Sequence, residues 1–303
     1  MTNKYLLCRP QGGLNDMLCQ IEKCCRYAEL TSRTVIVDTA YAHSDYFRDK
    51  FSRYFSSRQR RLFLTPNEQV GDLAAMQVFP EFLQGRLNSY ETSRDNKHPI
   101  YCDTATAQPI TFNFNQNYAQ PLLVHHQEGG GRLSGYALLR LTLTRSLLDE
   151  LISRIKTIGG PWVGVHVRNT DYSTDYELLL NQLKQTSVSR IFLATDSLEV
   201  KSRFESELKN TTVYSFSNRL SADGKPVHFM RDLKDDLVFN SNCDAILDLV
   251  MLGLSQRLLF QKIQPNEYGA SYSGYALLAQ HLYSARIVLR HLISDPRIRL
   301  GLD

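Results

Sequence analysis

The sequence predicts an α/β chain made of two doubly wound halves, and two observations carry that prediction. A strand, a glycine turn, a helix and a second strand follow one another at the start of the chain. The same alternation restarts after Gly159-Gly160-Pro161 near the middle. Short apolar strands alternating with amphipathic helices make a parallel sheet covered on both faces. A length of 303 residues fits two domains of ordinary size. The glycine-proline turn sets the expected division at 1–158 and 159–303, with the last helix packing back on the first domain.

Each element follows from its local pattern. Lys4 to Cys8 is an apolar run that reads as a strand, and Arg9-Pro10-Gln11-Gly12-Gly13 reads as a turn. A helix is predicted from about Asn15 to Leu30, with Leu18, Ile21, Cys25 and Ala28 on one stripe. Thr34 to Val37 is a β-branched strand ending at Asp38. From His43 to Ile100 aromatic residues alternate with charges, which predicts helices and loops on an insertion rather than a sheet. Leu122 to His126 is a further strand running into Gln127-Glu128-Gly129-Gly130-Gly131, and one long helix is predicted from about Gly135 to Lys156.

In the second half, strands are predicted at Trp162–Val167, Arg190–Ala194 and Thr212–Tyr214. Helices are predicted at Tyr176–Gln185, Leu198–Leu208, about Asn242–Gly253 and Gly274–Leu292.

Composition narrows the function. Apolar residues at 43% and charged residues at 22% are ordinary for a globular protein. A net charge of +4 is too small to point to nucleic acid, and a mildly basic balance suits phosphate-bearing substrates. No apolar run reaches the roughly 18 residues that cross a bilayer. The start of the chain lacks the pattern of a secretion signal. A cytoplasmic location is therefore expected, with room left for peripheral contact with a membrane surface. Six cysteines at 8, 19, 24, 25, 102 and 243 show no metal-binding spacing and read as reduced thiols. His125 and His126 are adjacent on a strand, face opposite ways and cannot share a metal ion, so no metal site is expected.

Candidate site residues lie just beyond the carboxyl ends of strands, where open α/β sheets bind ligands. Gly12 and Gly13 allow close approach of the backbone to a ligand. Asn15 and Asp16 lie at a helix start with free N–H groups, where simple capping is the competing reading. His166 and Arg168 share one face of the strand tip. Burying them calls for an anionic or polar partner, and Arg suits a bidentate grip on pyrophosphate. A structural ion pair between Arg168 and Asp171 is the alternative. Asp196 follows a strand and either caps the next helix or accepts hydrogen bonds from a base or ribose. Ser271 and Ser273 precede an apolar helix, which makes a phosphate site or a serine cap. Gly129-Gly130-Gly131-Arg132 lacks the Lys-Ser/Thr of a P-loop and reads as a flexible loop facing the interdomain cleft. Arg58, Arg60 and Arg61 read as a solvated face, with an anionic acceptor or a membrane surface as the alternative.

In this order the segments resemble the superfamily of GDP-fucose-dependent fucosyltransferases that includes the α1,6-, α1,2- and protein O-fucosyltransferases. Gly12-Gly13-Leu14-Asn15-Asp16 resembles the amino-terminal glycine-Asn motif, and His166-Val167-Arg168-Asn169-Thr170-Asp171 is similar to His-x-Arg-Arg-x-Asp. Phe192 to Ser197 resembles the strand ending in Ala-Thr-Asp. Ala245 to Leu252 with Ser271 to Ala276 resembles the third motif. Nothing between about Asp38 and Gln120 is recognised, and in such enzymes that region usually holds the acceptor.

The resemblance implies a GT-B fold, two Rossmann-like domains facing a cleft, and inverting sugar transfer without an obligatory metal ion or cofactor. The partners it implies are a nucleotide-sugar donor, GDP-fucose, and a glycan or glycolipid acceptor, in polysaccharide biosynthesis. By the motif match Arg168 holds the diphosphate, His166 and Asp196 contact the nucleoside, and Ser271 and Ser273 bind phosphate. Two departures matter. Asn169 stands where the family has its second Arg, which keeps open another nucleotide sugar or a non-catalytic nucleotide-binding protein of the same fold. Asp16 and Asp175 are the leading candidates for the general base, the position aligned with the family base being Tyr176.

Overall fold

The computed structural model describes residues 3–41, 47–66, 71–95, 100–217, 221, 235–264 and 271–298. The chain forms two compact units, Met1–Thr142 and Leu143–Asp303.

The first unit contains β1 (Tyr5–Cys8), α1 (Leu14–Thr31), β2 (Thr34–Val37), β3 (Phe55–Ser57), β4 (Leu62–Phe63) and β5 (Val78–Phe79). They are followed by β6 (Thr92–Asp95), β7 (Ile100–Asp103), β8 (Leu122–His125), α2 (Ser134–Leu139) and β9 (Leu141–Leu143). Its main sheet runs in the order β4-β2-β1-β8-β5 and is parallel throughout. All four residues of β1 are buried, as a central strand covered on both faces requires. Helix α1 turns Met17, Leu18, Ile21, Cys24, Cys25 and Ala28 inward and ends at Ser32, whose left-handed backbone returns its N–H to the Ala28 carbonyl.

Arg33 follows at once, buried, and among the described residues no carboxylate pairs with it. Its guanidinium donates to the carbonyls of Tyr118 at 2.6 Å, Gln120 at 2.9 Å and Tyr5 at 3.3 Å. Backbone dipoles thus compensate the charge, and the approach to β8 is pulled against the start of β1.

The described residues between 47 and 100 depart from expectation, and the rest of that stretch lies outside the described residues. In place of helices and loops alone, β4 and β5 form the two edges of the main sheet, and β6 and β7 form an antiparallel hairpin. Strands of two residues are too short to show a period; main-chain pairing such as Val35 N–H to the Arg61 carbonyl defines them. The predicted long helix also divides. Thr142 and Thr144 interrupt it, β9 pairs with β3, and helix α3 (Arg145–Ile158) begins after Thr144.

Contacts separate the units inside β9. Gly159, with φ of +67°, closes α3 by donating its N–H to the Ile155 carbonyl, so the glycine-proline turn lies within the second unit.

That unit continues with β10 (Val163–Val167), α4 (Tyr176–Lys184), β11 (Arg190–Thr195), α5 (Leu198–Glu207) and β12 (Thr212–Tyr214). Next come α6 (Asp235–Leu254), β13 (Arg257–Phe260), α7 (Gly274–Ser284) and α8 (Arg286–Ile293). The parallel sheet runs β12-β11-β10-β13. Val165, Val167, Ile191 and Leu193 pack against Leu179, Leu180, Val200 and Phe204 of α4 and α5.

Helix α6 is long and apolar enough to cross a membrane by length and composition. Its Ile246–Gly253 stretch is instead buried, and the helix packs on β10, β11, α3, α7 and α8. Helix α6 starts earlier than predicted, β13 was not predicted, and the expected helix to Leu292 breaks at Ala285. Helix α8 packs on α6 and α7 of its own unit. Cys8, Cys19, Cys24 and Cys25 are buried free thiols.

Candidate functional site

Sheet order locates the candidate residues. In the first unit the chain steps from β1 to β2 on one side and later returns to β8 on the other. The second unit repeats this with β10, β11 and β13. Each central strand is therefore a topological switch point, where the following loops diverge and leave a crevice beyond the carboxyl ends. Gly12 to Asp16 follow β1, and His166 to Asp171 end and follow β10.

In the second unit His166 is buried at the tip of β10, opposite Ala194 of β11 and Phe260 of β13. Burial, reinforced by Arg168, pushes the imidazole down to about 3, so the ring is neutral at physiological pH. Its face lies 5.1 Å from the ring of Tyr275, whose hydroxyl donates to the Ala245 carbonyl of α6 at 2.7 Å. Among the described residues nothing hydrogen-bonds to the imidazole nitrogens.

Arg168 is held side-on by Asp171, with Nε donating to Oδ1 at 2.7 Å and Nη2 to Oδ2 at 2.8 Å. The ion pair anticipated as the structural alternative is therefore present. It occupies one edge of the guanidinium, and among the described residues none hydrogen-bonds to Nη1 on the end-on edge that grips a phosphate.

Asp196, at the tip of β11, accepts from the Asn169 N–H at 2.8 Å and from the Thr170 hydroxyl at 2.7 Å, with Arg168 Nε at 3.6 Å. The helix cap is the next residue, Ser197, which accepts from the Val200 N–H. Asp196 thus holds the loop that carries Arg168. Thr174 adds a hydrogen bond to the Arg168 carbonyl.

The serines differ from one another. The Ser273 hydroxyl accepts from the Ala276 N–H at 3.1 Å and caps α7, while Ser271 is exposed and its carbonyl accepts from the Ile263 N–H. Asp175 is exposed at the start of α4, and its side chain makes no cap hydrogen bond. Beneath the site Arg154 of α3 bonds Asp244 at 2.6 Å and Asp248 at 3.0 Å, and the Ser217 hydroxyl donates to Asp248. Burial raises the Asp248 carboxyl to about 7.

In the first unit Gly12 has φ of +90°, and a Cβ there would meet Asp16 Cβ at 2.9 Å, so only glycine fits. Gly13 is the N-cap of α1 and offers no side chain, and the backbone N–H groups of this first turn favour the charged form of the Asp16 carboxyl, three residues on. Burial, then the charge of Glu128, raises the Asp16 carboxyl to about 6. A carboxylate with this affinity for a proton, at a helix start flanked by exposed glycines, is suited to taking a proton from a hydroxyl near neutral pH.

The loop after β8 wraps this carboxyl. Gly130 packs so closely that a Cβ would fall 2.5 Å from Asp16 Oδ1 and 2.9 Å from Asn15 Nδ2. Asn15 is fixed in turn by the Ser134 hydroxyl at 2.7 Å, and Gln20 donates to the Gly129 carbonyl. His125 pairs with Gln20 at 2.9 Å and Thr111 at 2.7 Å, while His126 pairs with Gln11 and Tyr90. The two imidazoles serve separate networks, and no cluster of metal-binding side chains occurs among the described residues.

The fold thus gathers Gly12, Gly13, Asn15 and Asp16 in the first unit, and His166, Arg168 and Asp196 in the second. Sequence reasoning gave too little weight to Gly129–Gly131 and missed Glu128, Arg94 and Tyr275. The signal available for the glycines was position: a glycine run after β8 mirrors the one after the neighbouring β1.

No family model and no curated protein matches the sequence. Solved structures do match. NodZ α-1,6-fucosyltransferase co-crystallised with GDP superposes with a TM-score of 0.58 at 16% identity over 93% of both chains. The fucosyltransferase NodZ from Bradyrhizobium gives 0.58 at 15% identity, over 93% of this chain and 94% of that one. POFUT1 in complex with GDP-fucose gives 0.51 at 12% identity, over 98% and 97%. The fold is that of GT-B fucosyltransferases.

Proposed function

We propose that the chain is an inverting glycosyltransferase that moves a sugar, fucose from GDP-fucose, to a hydroxyl of a glycan or glycolipid. The observation carrying this reading is the Arg168 guanidinium, positioned beside a neutral buried His166 at the switch point of a parallel sheet. The fold is shared with structures described as holding GDP or GDP-fucose.

In this reading the second unit grips the donor. The free edge of Arg168 takes the diphosphate, whose charge grows as the bond to the sugar breaks, and the exposed start of α7 near Ser271 adds donors. His166 and Tyr275 face the nucleoside, and Asp196 keeps the Arg168 loop in shape. These groups accept the leaving-group charge without a divalent cation.

The first unit activates the acceptor. Asp16 takes the hydroxyl proton as the acceptor oxygen attacks the anomeric carbon, and the nucleoside diphosphate leaves from the opposite face. Asp16 is favoured over Asp175 because it is held in place and its proton affinity is raised. Asn169 adds no second cation to the grip and supports a different nucleotide sugar as the second reading.

A thermal-shift panel of GDP, UDP, CMP and dTDP with their sugar conjugates, with and without chelator, tests the proposal. Selective stabilisation by GDP and GDP-fucose, unchanged by chelator, is the expected result. Selectivity for another nucleotide would discard fucose, and no response to any would discard the transferase.

A further inference from the structure

Charged groups from three elements act on or with Asp16: Glu128 on the loop after β8 raises its proton affinity, Arg94 on β6 lowers it, and Asp16 in turn acts on the Cys19 thiol of its own helix. Arg94 Nη2 lies 2.6 Å from Glu128 Oε1; the Glu128 side chain is 8% exposed and that of Arg94 40%.

The pair sits on a rigid frame. The Gln127 side chain accepts from the Tyr101 N–H at 2.9 Å and donates to the Tyr101 carbonyl at 2.8 Å, which stitches the β6–β7 hairpin to the loop. Two residues past Glu128 in the same loop, Gly130 presses on the Asp16 carboxyl. A near-buried carboxylate is thus carried by the loop that packs on Asp16, with a half-exposed guanidinium as its counter-charge between hairpin and loop.

We propose that the Arg94–Glu128 ion pair is a positioning element that sets the charge state of Asp16 from the β6–β7 hairpin without touching substrate. This rests on the reading of Asp16 as the base, and it assigns a role to a hairpin lying in the stretch where the sequence showed no motif. The sign is definite. Glu128 disfavours a second negative charge and Arg94 favours it. Glu128→Gln removes the repulsion, so Asp16 ionises at lower pH. Arg94→Met leaves Glu128 uncompensated, so Asp16 ionises at higher pH. Opposite displacements of about half a pH unit or more are expected for a charge in this range.

The test has two readouts on the full chain. The first is 13C NMR titration of the aspartate carboxyls in wild type, Glu128→Gln and Arg94→Met, with Asp16→Asn used to assign the Asp16 resonance. The second is the acid limb of the kcat/KM–pH profile of the same proteins with GDP-fucose. Thermal melts confirm that each variant is folded.

Opposite shifts of the Asp16 titration establish the proposal whether or not activity is found. No shift, or shifts in the same direction, overturn it. If the carboxyl titration moves and the acid limb does not follow, the pair still sets Asp16, and it is the assignment of Asp16 as base that fails. If the profile is only scaled down while the titration stays in place, the pair is a structural brace alone and the proposal is wrong.

Discussion

Gly130→Ala isolates the packing of the glycine loop on Asp16. The new methyl would lie 2.5 Å from Asp16 Oδ1, whereas ordinary contact starts near 3.4 Å, so about 0.9 Å must be opened. A second opening of about 0.5 Å is needed at Asn15 Nδ2. Neither side chain yields freely. Asp16 is hemmed in on its other side by Gly12, where a Cβ would already meet its Cβ at 2.9 Å, and Asn15 accepts from the Ser134 hydroxyl. Losing that hydrogen bond costs about 1 kcal/mol, and overpacking a fixed site costs about 1–3 kcal/mol.

For a unit of this size that is a drop in Tm of about 3–10 °C. Calorimetric unfolding measures it, with Gly13→Ala as the control because its methyl would sit at an ordinary 3.5 Å from Asp16 Oδ2. In an Asp16→Ala background the same Gly130→Ala change should cost at least about 1 kcal/mol less, since the closest obstacle is gone. A Gly130→Ala protein that melts with wild type, or equal costs in the two backgrounds, would refute the packing described for this loop.

Other outcomes follow from the second unit and from buried histidine. Arg168→Ala should lower kcat/KM by about 100-fold or more with an unchanged melt, and Arg168→Lys should not restore it, because the ammonium cannot hold Asp171 side-on and a phosphate end-on together. Ser273→Ala should remove about 1 kcal/mol of stability through loss of the α7 cap, while Ser271→Ala leaves unfolding unchanged. His125 is pushed down to about 3 by burial and then by Lys23, whereas the unfolded chain takes up that proton near 6.5. Its contribution is therefore complete above that value and falls as pH drops towards 3. The stability difference between wild type and His125→Gln should shrink by about 2 kcal/mol between pH 7 and pH 5. Asp16 and Asp248, both raised, run the other way in both proteins and cancel from this difference, and a pH-independent difference would contradict the neutral buried ring.

The parts of the fold legible in the sequence are those whose burial is continuous. β1, β2, β8, β10 and β11 are apolar runs because both faces of their sheets are covered, and α1 shows its stripe because one face meets the sheet. The illegible parts are set by partners distant in sequence. β4 and β5 exist through hydrogen bonds to β2 and β8, and β9 exists because Ser56 and Arg58 on the far side of the unit accept and donate to it and its neighbour.

At the candidate site, His166 and Arg168 were readable from strand alternation. The roles of Asp196 and Ser273 were open between capping and ligand contact, and geometry placed Asp196 under the Arg168 loop and Ser273 at a cap. Glu128 and Arg94 carried no local signal, because what makes them matter is a loop crossing that only the folded chain contains.

The position of β8 beside β1 has a consequence for synthesis on the ribosome. β1 emerges long before one of its two neighbours, which ends at His125, and the Arg33 guanidinium finds its carbonyls only when Tyr118 to Gln120 arrive. More than a hundred residues must therefore leave the exit tunnel before the central strand is flanked on both sides. Until then Leu6, Leu7 and Cys8 present an unpaired apolar edge, the kind of exposed surface that chaperones cover.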